Sequence, residues 1–165
     1  MTTIKCQKEI LRLLEAVIFL VRIEKSIEIK ASPEKVWEML AFDKAVEWME
    51  GWKSVQYISE VHTPKDKYRA GTSAHITDHV KYDLEITESL ENKKMAYRSK
   101  GIGGRVTMTV THILEPVEDG TKFTLVCDYE MPWWSKWLPG KMLGQRGTGK
   151  VMEKSLKKLK SILEK

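Results

Sequence analysis

The chain has 165 residues, which is enough for one domain with a buried core and a pocket inside it. Hydrophobic residues make up 42% and charged residues 31%, as in an ordinary soluble domain. The net charge of +5 comes from lysines crowded near the C-terminus. No arginine-rich or aromatic-interleaved motif accompanies them, so we expect a solvated helix face and no nucleic-acid partner.

Two features indicate the compartment. Cys6 and Cys127 lie far apart, and neither belongs to a CxxC motif or a Cys/His cluster, so we expect neither a disulfide framework nor a metal site. The longest unbroken apolar run, residues 16–21, is too short to span a bilayer and makes a poor secretory signal. The sequence therefore predicts a cytoplasmic protein.

Residues 1–21 are predicted to form a helical extension. An apolar stripe and a polar face alternate at helical spacing over residues 8–19, which predicts an amphipathic helix. Its stripe could pack on the sheet exterior, on a second copy in a homodimer, or on a membrane in a transient contact. A weakly structured tail is a further alternative, and the sequence does not choose among them.

Residues 22–40 predict a strand that leads directly into a capped helix. Ile23, Ile27 and Ile29 share one face of the strand, as in a half-buried strand. Ser32 then occupies an N-cap position, and Pro33 takes the first helical position, where its missing N–H costs nothing.

The next segments predict a second short helix followed by a run of strands. Residues 43–52 have helical spacing and are closed by Gly51. From residue 55 the hydrophobic period changes to two, with turn signals between the segments. The predicted strands cover residues 55–61, 72–79, 82–87, 95–99, 106–114 and 123–131. With the first strand they make about seven, and their short connections predict an antiparallel sheet.

The C-terminal region is predicted to hold a long amphipathic helix. Apolar residues recur at helical spacing over residues 151–163. Gly140, Gly144, Gly147 and Gly149 precede it and lower helix propensity, so we expect a kink or an irregular segment there. The predicted element order is β-α-α-β6-α.

Four segments resemble one known superfamily. They are SIEIKASPEKVWEML (26–40), KMAYR (94–98), GGRVTMTVTHILEPVEDGTKFTLVCDYEMP (103–132) and KSLKKLKSILE (154–164). Their order and spacing resemble the SRPBCC superfamily, which has the START-like or helix-grip fold, and in particular its polyketide cyclase/dehydrase-like members. The resemblance covers residues 22–165 and implies an α+β fold in which a curved antiparallel sheet grips the C-terminal helix around a cavity. The predicted N-terminal helix departs from the usual pattern.

If the apolar strand faces point toward the helix, they line that cavity. The candidate wall residues are Tyr57, Tyr82, Leu84, Met95, Tyr97, Met108, Val110, Leu125, Cys127, Tyr129, Met142 and Met152. The tyrosines could orient a ligand by hydrogen bonding, and methionines give an adaptable apolar surface. The same periodicity would also arise if these residues were simply core.

The mouth of the cavity is predicted near two segments. Ile102 lies in a glycine-rich hairpin loop, and Trp133, Trp134 and Trp137 form an aromatic cluster that could be the other lip or could pack on the domain. The glycines lack phosphate-binding spacing.

The sequence shows no catalytic constellation. His75, His79 and His112 fall within strands and His62 in a loop, and none has a partner at nucleophile or metal-ligand spacing. Catalytic residues are therefore unknown, and no cofactor or metal is predicted.

Three functional hypotheses follow. The leading one is a non-enzymatic binding or carrier protein for a small hydrophobic ligand, such as a lipid, isoprenoid, quinone or aromatic polyketide-like compound. The second is an enzyme of the cyclase, dehydratase or hydrolase type that uses a cavity tyrosine or histidine as general acid or base. The third is a protein-interaction module similar to Hsp90 activators.

Overall fold

The computed structural model describes residues 18–79, 81–99, 107–132 and 140–165, with side chains for 20–79, 81–99, 107–130 and 146–165. The strands are β1 Ile18–Ile29, β2 Ser54–Tyr57, β3 Ser73–Thr77, β4 Lys81–Leu90, β5 Lys94–Ser99, β6 Thr107–Val117 and β7 Gly120–Pro132; the helices are α1 Pro33–Glu38, α2 Phe42–Ala45 and α3 Gly140–Leu163, with a 3-10 helix at Pro64–Tyr68. This order confirms the predicted α+β architecture.

All seven strands form one antiparallel sheet. Their order across the sheet is β1-β7-β6-β5-β4-β3-β2, so consecutive strands from β2 to β7 are neighbours. β1 crosses to the far edge and pairs with β7 along its whole length, from Ile18 opposite Pro132 to Ile29 opposite Thr121. The prediction of a seven-stranded antiparallel sheet is confirmed.

The first strand begins four residues earlier than its predicted start at Arg22. β1 starts at Ile18, so the last two residues of the predicted helix over 8–19, and residues 20–21 of the predicted extension, belong to the sheet. Ile18, Phe19, Leu20 and Val21 are branched or aromatic and extend the ladder with β7. The rest of the predicted helix and the extension that contains it lie outside the described residues.

The strand-to-helix connection forms as its residues predict. Ser32 is extended, with φ −66° and ψ 156°, and α1 starts at Pro33. α2 is only one turn long, shorter than the predicted helix over 43–52, and turns carry the chain on to Gly51. Gly51 has φ +98°, a left-handed conformation that suits glycine and ends the helical segment.

The predicted strand over 55–61 is also shorter in the structure, and the charged loop after it is partly helical. β2 ends at Tyr57, and the 3-10 helix follows at Pro64–Tyr68. The carboxylate of Asp66 accepts a hydrogen bond from the Thr63 backbone N–H at 2.7 Å. This local bond stabilises the start of the 3-10 helix.

Helix α3 lies against the concave face of the sheet and is continuous from Gly140 to Leu163. The predicted kink or irregular segment before residue 150 is therefore wrong. Met152, Leu156 and Leu159 are buried, and this packing outweighs the low helix propensity of the glycines. No helix in the part of the chain that the structure describes is long and apolar enough to cross a membrane.

Candidate ligand-binding cavity

A cavity of about 390 Å³ lies between the sheet and the first half of α3. Strands β4 to β7 supply one wall, α3 supplies the opposite wall, and the segments after α2 and after β3 supply the remainder. It is lined by Met49, Glu50, Trp52, Asp78, Tyr82, Tyr97, Met108, Val110, Leu125, Cys127, Tyr129, Gly147, Thr148, Val151 and Met152. Most of these side chains are apolar or aromatic, as in pockets that hold small molecules.

Eight of the twelve predicted wall residues lie around this cavity. They are Tyr82, Tyr97, Met108, Val110, Leu125, Cys127, Tyr129 and Met152. The strand register explains the grouping, because Tyr97, Val110 and Cys127 are consecutive cross-strand neighbours and Met108 is opposite Tyr129. Residues in one row across neighbouring strands share a face of the sheet.

Two other predicted wall residues are core residues instead. Leu84 and Met95 are completely buried in the hydrophobic core and do not line the cavity. Their strand positions point inward as predicted, but other side chains fill the space in front of them. The side chain of Met142 lies outside the described residues, as do the predicted mouth residues Ile102, Trp133, Trp134 and Trp137.

Tyr57 belongs to a different part of the molecule. Its hydroxyl donates a hydrogen bond to the Asp43 carboxylate at 2.9 Å, and Lys67 pairs with the other oxygen of Asp43 at 2.6 Å. Asp43 and Lys67 line a separate surface groove of about 480 Å³ beside α1 and the 3-10 helix. Because β2 is short and lies at the sheet edge, Tyr57 bonds to a residue of this groove and does not line the cavity.

Several cavity residues were missed by sequence reasoning. Met49, Trp52 and Asp78 come from turns between regular elements, although the sequence predicted the first two within a helix over 43–52 and the third within a strand over 72–79. Gly147 and Thr148 come from the glycine-containing part of α3, for which we expected an irregular structure. The only available signal was the helical spacing of Met49, which predicted a buried face without saying what the face would contact.

The polar groups inside the cavity are neutral at physiological pH. Burial raises the pKa of Tyr82 to about 12 and the pKa of the Cys127 thiol to about 11. Burial also raises the pKa of Tyr97 and of Tyr129 well above the usual value for tyrosine. These groups therefore stay protonated and can donate hydrogen bonds, but they are poor proton donors in acid catalysis at neutral pH.

Charge is found only at the partly exposed rim, among the described lining residues. The carboxylate of Glu50 lies 3.6 Å from the Lys154 ammonium group. The Asp78 side chain is 24% exposed, and a Cβ atom at Gly51 would lie only 3.0 Å from its carboxylate. A ligand seated in the cavity would therefore have an apolar, uncharged surrounding with negative groups near the rim.

His112 is buried just beyond the cavity. Its ring packs against Tyr97, Phe123 and Trp48, with ring centroids 5.2, 5.5 and 5.8 Å away. Burial lowers the pKa of His112 to about 3, so the imidazole is neutral. Neither ring nitrogen has a hydrogen-bond partner within the described ranges, and His112 does not line the cavity.

The other histidines are on the surface. His75 pairs with Asp83 at 2.7 Å on the solvent-facing side of the sheet, while the side chains of His62 and His79 are largely exposed. In residues 18–79, 81–99, 107–132 and 140–165, no group of three or more His, Cys, Asp or Glu is arranged to hold a metal ion. None of the four histidines, all of which are described, lines the cavity.

Comparisons with known proteins agree with this architecture. A family model for "Polyketide cyclase / dehydrase and lipid transport" matches residues 21–164. No curated protein matches the sequence.

Solved structures share the fold at low sequence identity. Protein CV1439 from Chromobacterium violaceum is 17% identical, with a TM-score of 0.63 over 87% of this chain and 97% of that one. TTHA0849 from Thermus thermophilus is 20% identical, with a TM-score of 0.64 over 87% and 95% of the two chains. Ara h 8.0201 is 14% identical, with a TM-score of 0.64 over 88% and 98%. At these identities the similarity establishes the helix-grip fold alone, whereas the family match covers nearly the whole chain, and the protein therefore belongs to the polyketide cyclase/dehydrase and lipid transport family.

Proposed function

We propose that this protein binds or carries a small, uncharged hydrophobic molecule in the cavity between the sheet and α3. The observation that supports this best is a cavity of about 390 Å³ whose interior side chains are apolar or neutral and whose charged residues lie at the rim. Cavities of a few hundred Å³ with apolar walls and few polar groups are typical of small-molecule sites. Lipid, isoprenoid, quinone and aromatic polyketide-like compounds all fit this description.

Affinity would come mainly from the burial of apolar surface, at about 25 cal/mol per Å². Met108 and Met152 contribute flexible walls from opposite sides, one from β6 and one from α3. Methionine side chains adjust their shape at low cost because they are unbranched. A site with such walls can accept ligands that differ in outline.

The geometry favours binding over catalysis. An acid–base mechanism would need a group that titrates near neutral pH beside the ligand. The described cavity side chains include no histidine, and the pKa values of its tyrosines are raised by burial. We therefore assign the cavity a binding role.

The cellular setting is part of the same proposal. The free, buried Cys127 supports a reducing compartment such as the cytoplasm. Transient membrane contact and dimerisation through the N-terminal helix remain predictions, because the helix lies outside the described residues.

The proposal is tested by titration with N-phenyl-1-naphthylamine, an uncharged probe that fluoresces in apolar surroundings. We expect saturable binding at one site per chain. Val110→Phe should abolish it, because Val110 is buried on the cavity wall and the added ring would occupy the space. Ile58→Phe is the matched control, since Ile58 is 57% exposed and does not line the cavity.

Circular dichroism shows whether the Val110→Phe variant is folded. Native mass spectrometry shows whether a small molecule is bound to the purified protein. A folded Val110→Phe variant that binds the probe as well as the wild type would contradict the proposal, as would a wild-type protein that binds none. Organic extraction of the purified protein should release an apolar compound that is missing from extracts of Val110→Phe.

A further inference from the structure

The three tyrosines of the cavity differ in their hydrogen bonding. The hydroxyl of Tyr129 lies 3.3 Å from the Thr148 hydroxyl. Tyr97 is completely buried, and its hydroxyl has no hydrogen-bond partner among the described residues. Outside the cavity, Tyr57 bonds to Asp43 and Tyr68 to the backbone carbonyl of Glu38.

Of the five tyrosines in the sequence, all of which are described, Tyr97 is thus the one whose hydroxyl is buried without a partner in the described part of the chain. A buried hydroxyl without a partner is costly, and native proteins rarely retain one without a reason. A ligand oxygen that accepts its hydrogen bond would remove this cost.

The position of Tyr97 suits such a role. Tyr97 lines the cavity together with Tyr82, Cys127 and Tyr129. Its ring is held edge-on by Phe42 at 5.6 Å and by His112 at 5.2 Å. The hydroxyl is therefore fixed in direction before any ligand arrives, which lowers the entropic cost of binding.

We propose that Tyr97 is the polar anchor of the cavity, and that the ligand is an uncharged apolar molecule with a carbonyl or similar neutral oxygen at its buried end. This inference rests on the proposed binding function. The hydroxyl is covered by neighbouring side chains, so a ligand oxygen reaches it when these side chains shift. Met108 and Met152, which line the same cavity, are flexible enough to do so.

The experiment compares two ligands of the same shape in competition with N-phenyl-1-naphthylamine. 2-Acetonaphthone carries a carbonyl oxygen, and 2-isopropylnaphthalene replaces it with a methyl group. The quantity measured is the ratio of their dissociation constants in each variant, since this ratio cancels the shared hydrophobic contribution.

Tyr97→Phe should shift that ratio by about two- to tenfold against the ketone, the range that one hydrogen bond gives. Binding of 2-isopropylnaphthalene should stay the same or become tighter. The matched control is Tyr129→Phe, which removes a hydroxyl that already has a protein partner and should leave the ratio unchanged.

The outcomes separate the two claims. If the wild type binds neither compound nor the fluorescent probe, the proposed function itself fails. If both compounds bind and Tyr97→Phe leaves the ratio unchanged, or Tyr129→Phe shifts it equally, the anchor is overturned while the binding function stands. Tyr97→Phe should fold, because it removes only an unpartnered oxygen.

Discussion

The two ends of the interior between the sheet and α3 are filled differently. At one end, Trp48 from the turns after α2 is fully buried. Trp48 packs edge-on against Phe123 at 6.0 Å and donates its indole N–H to the Met39 carbonyl at 2.7 Å. At the other end, the same strands and the same helix enclose a cavity of about 390 Å³.

The difference comes from what lies between the sheet and the helix. Trp48 fills the solid end, where its ring packs on Phe123 and His112. At the cavity end α3 contributes Gly147 and Thr148, which leave room that larger residues would fill. A solid core is stabilised by close packing contacts. The side chains around a cavity lose some of these contacts, but the cavity provides space for a ligand.

The largest expected effect comes from removing the Trp48 side chain from the solid end. Trp48→Ala should lower the free energy of unfolding by about 4 kcal/mol, because it leaves a large void in a solid region. Met108→Ala at the cavity end should cost about 1 kcal/mol, because one side of Met108 already faces empty space. Urea denaturation of both variants measures the comparison, and equal losses would mean that the two ends are packed alike.

The next effect depends on pH and concerns His112 at the boundary. Its pKa is lowered to about 3 in the folded protein, against an ordinary value of about 6.5 in the unfolded chain. Between these values the unfolded chain binds a proton that the folded protein does not. The contribution of neutral His112 to the free energy of unfolding is therefore fully present above pH 6.5 and decreases as the pH drops toward 3.

His112→Phe removes this loss. From pH 7.5 to 5.0 the wild type should lose roughly 2 kcal/mol more stability than His112→Phe, measured by urea denaturation at each pH. His79→Gln is the control, because His79 is exposed and should keep the wild-type response. If the His112→Phe and wild-type pH responses were the same, His112 would not be a buried neutral group.

A third prediction concerns charge at the cavity end. The 2-naphthoate anion should bind at least about tenfold more weakly than 2-acetonaphthone, because burying its carboxylate among neutral groups is costly. Asp78→Asn should reduce the difference by removing a negative charge at the rim. Competition with N-phenyl-1-naphthylamine measures both, and equal affinity for the anion and the ketone would show that a positive group lies inside.

The smallest expected effect tests the helix beside the cavity. Gly147 is exposed, and a Cβ atom there would meet nothing within 4 Å. Gly147→Ala should therefore raise the free energy of unfolding by about 0.5 to 1 kcal/mol through helix propensity. Gly149→Ala is the companion variant, since its Cβ would lie at ordinary contact distance, 3.7 Å, from Lys25. Unchanged unfolding midpoints in both variants would mean that this part of α3 adds little to stability.

The sequence predicted the fold well because its periodicities are long and consistent. It could not separate wall from core, because alternation only tells which side chains point inward. Tyr97 and Leu84 both point inward, yet only Tyr97 meets empty space. The small residues Gly147 and Thr148 leave that space, and their position opposite the sheet depends on tertiary packing.

Other differences have similarly local causes. The apolar run at residues 16–21 fits a helix stripe and a strand equally well, and pairing with β7 selects the strand. Trp52 and Asp78 line the cavity from turns, and a turn has no hydrophobic periodicity that would indicate which side chains point inward. Tyr57 donates a hydrogen bond to Asp43 outside the cavity, and strand alternation cannot reveal this partner.

The pairing of β1 with β7 also sets an order for synthesis. β1 is made before the other strands, yet its ladder partner β7 follows every other strand in the chain. Its other edge is bound later still, when the Lys160 ammonium donates to the carbonyl of Glu28, 132 positions away. During synthesis β1 therefore remains an unpaired strand until β7 has been made. The exposed charges of Arg22, Glu24 and Glu28 protect it in that interval, because charged strands resist pairing with other nascent chains.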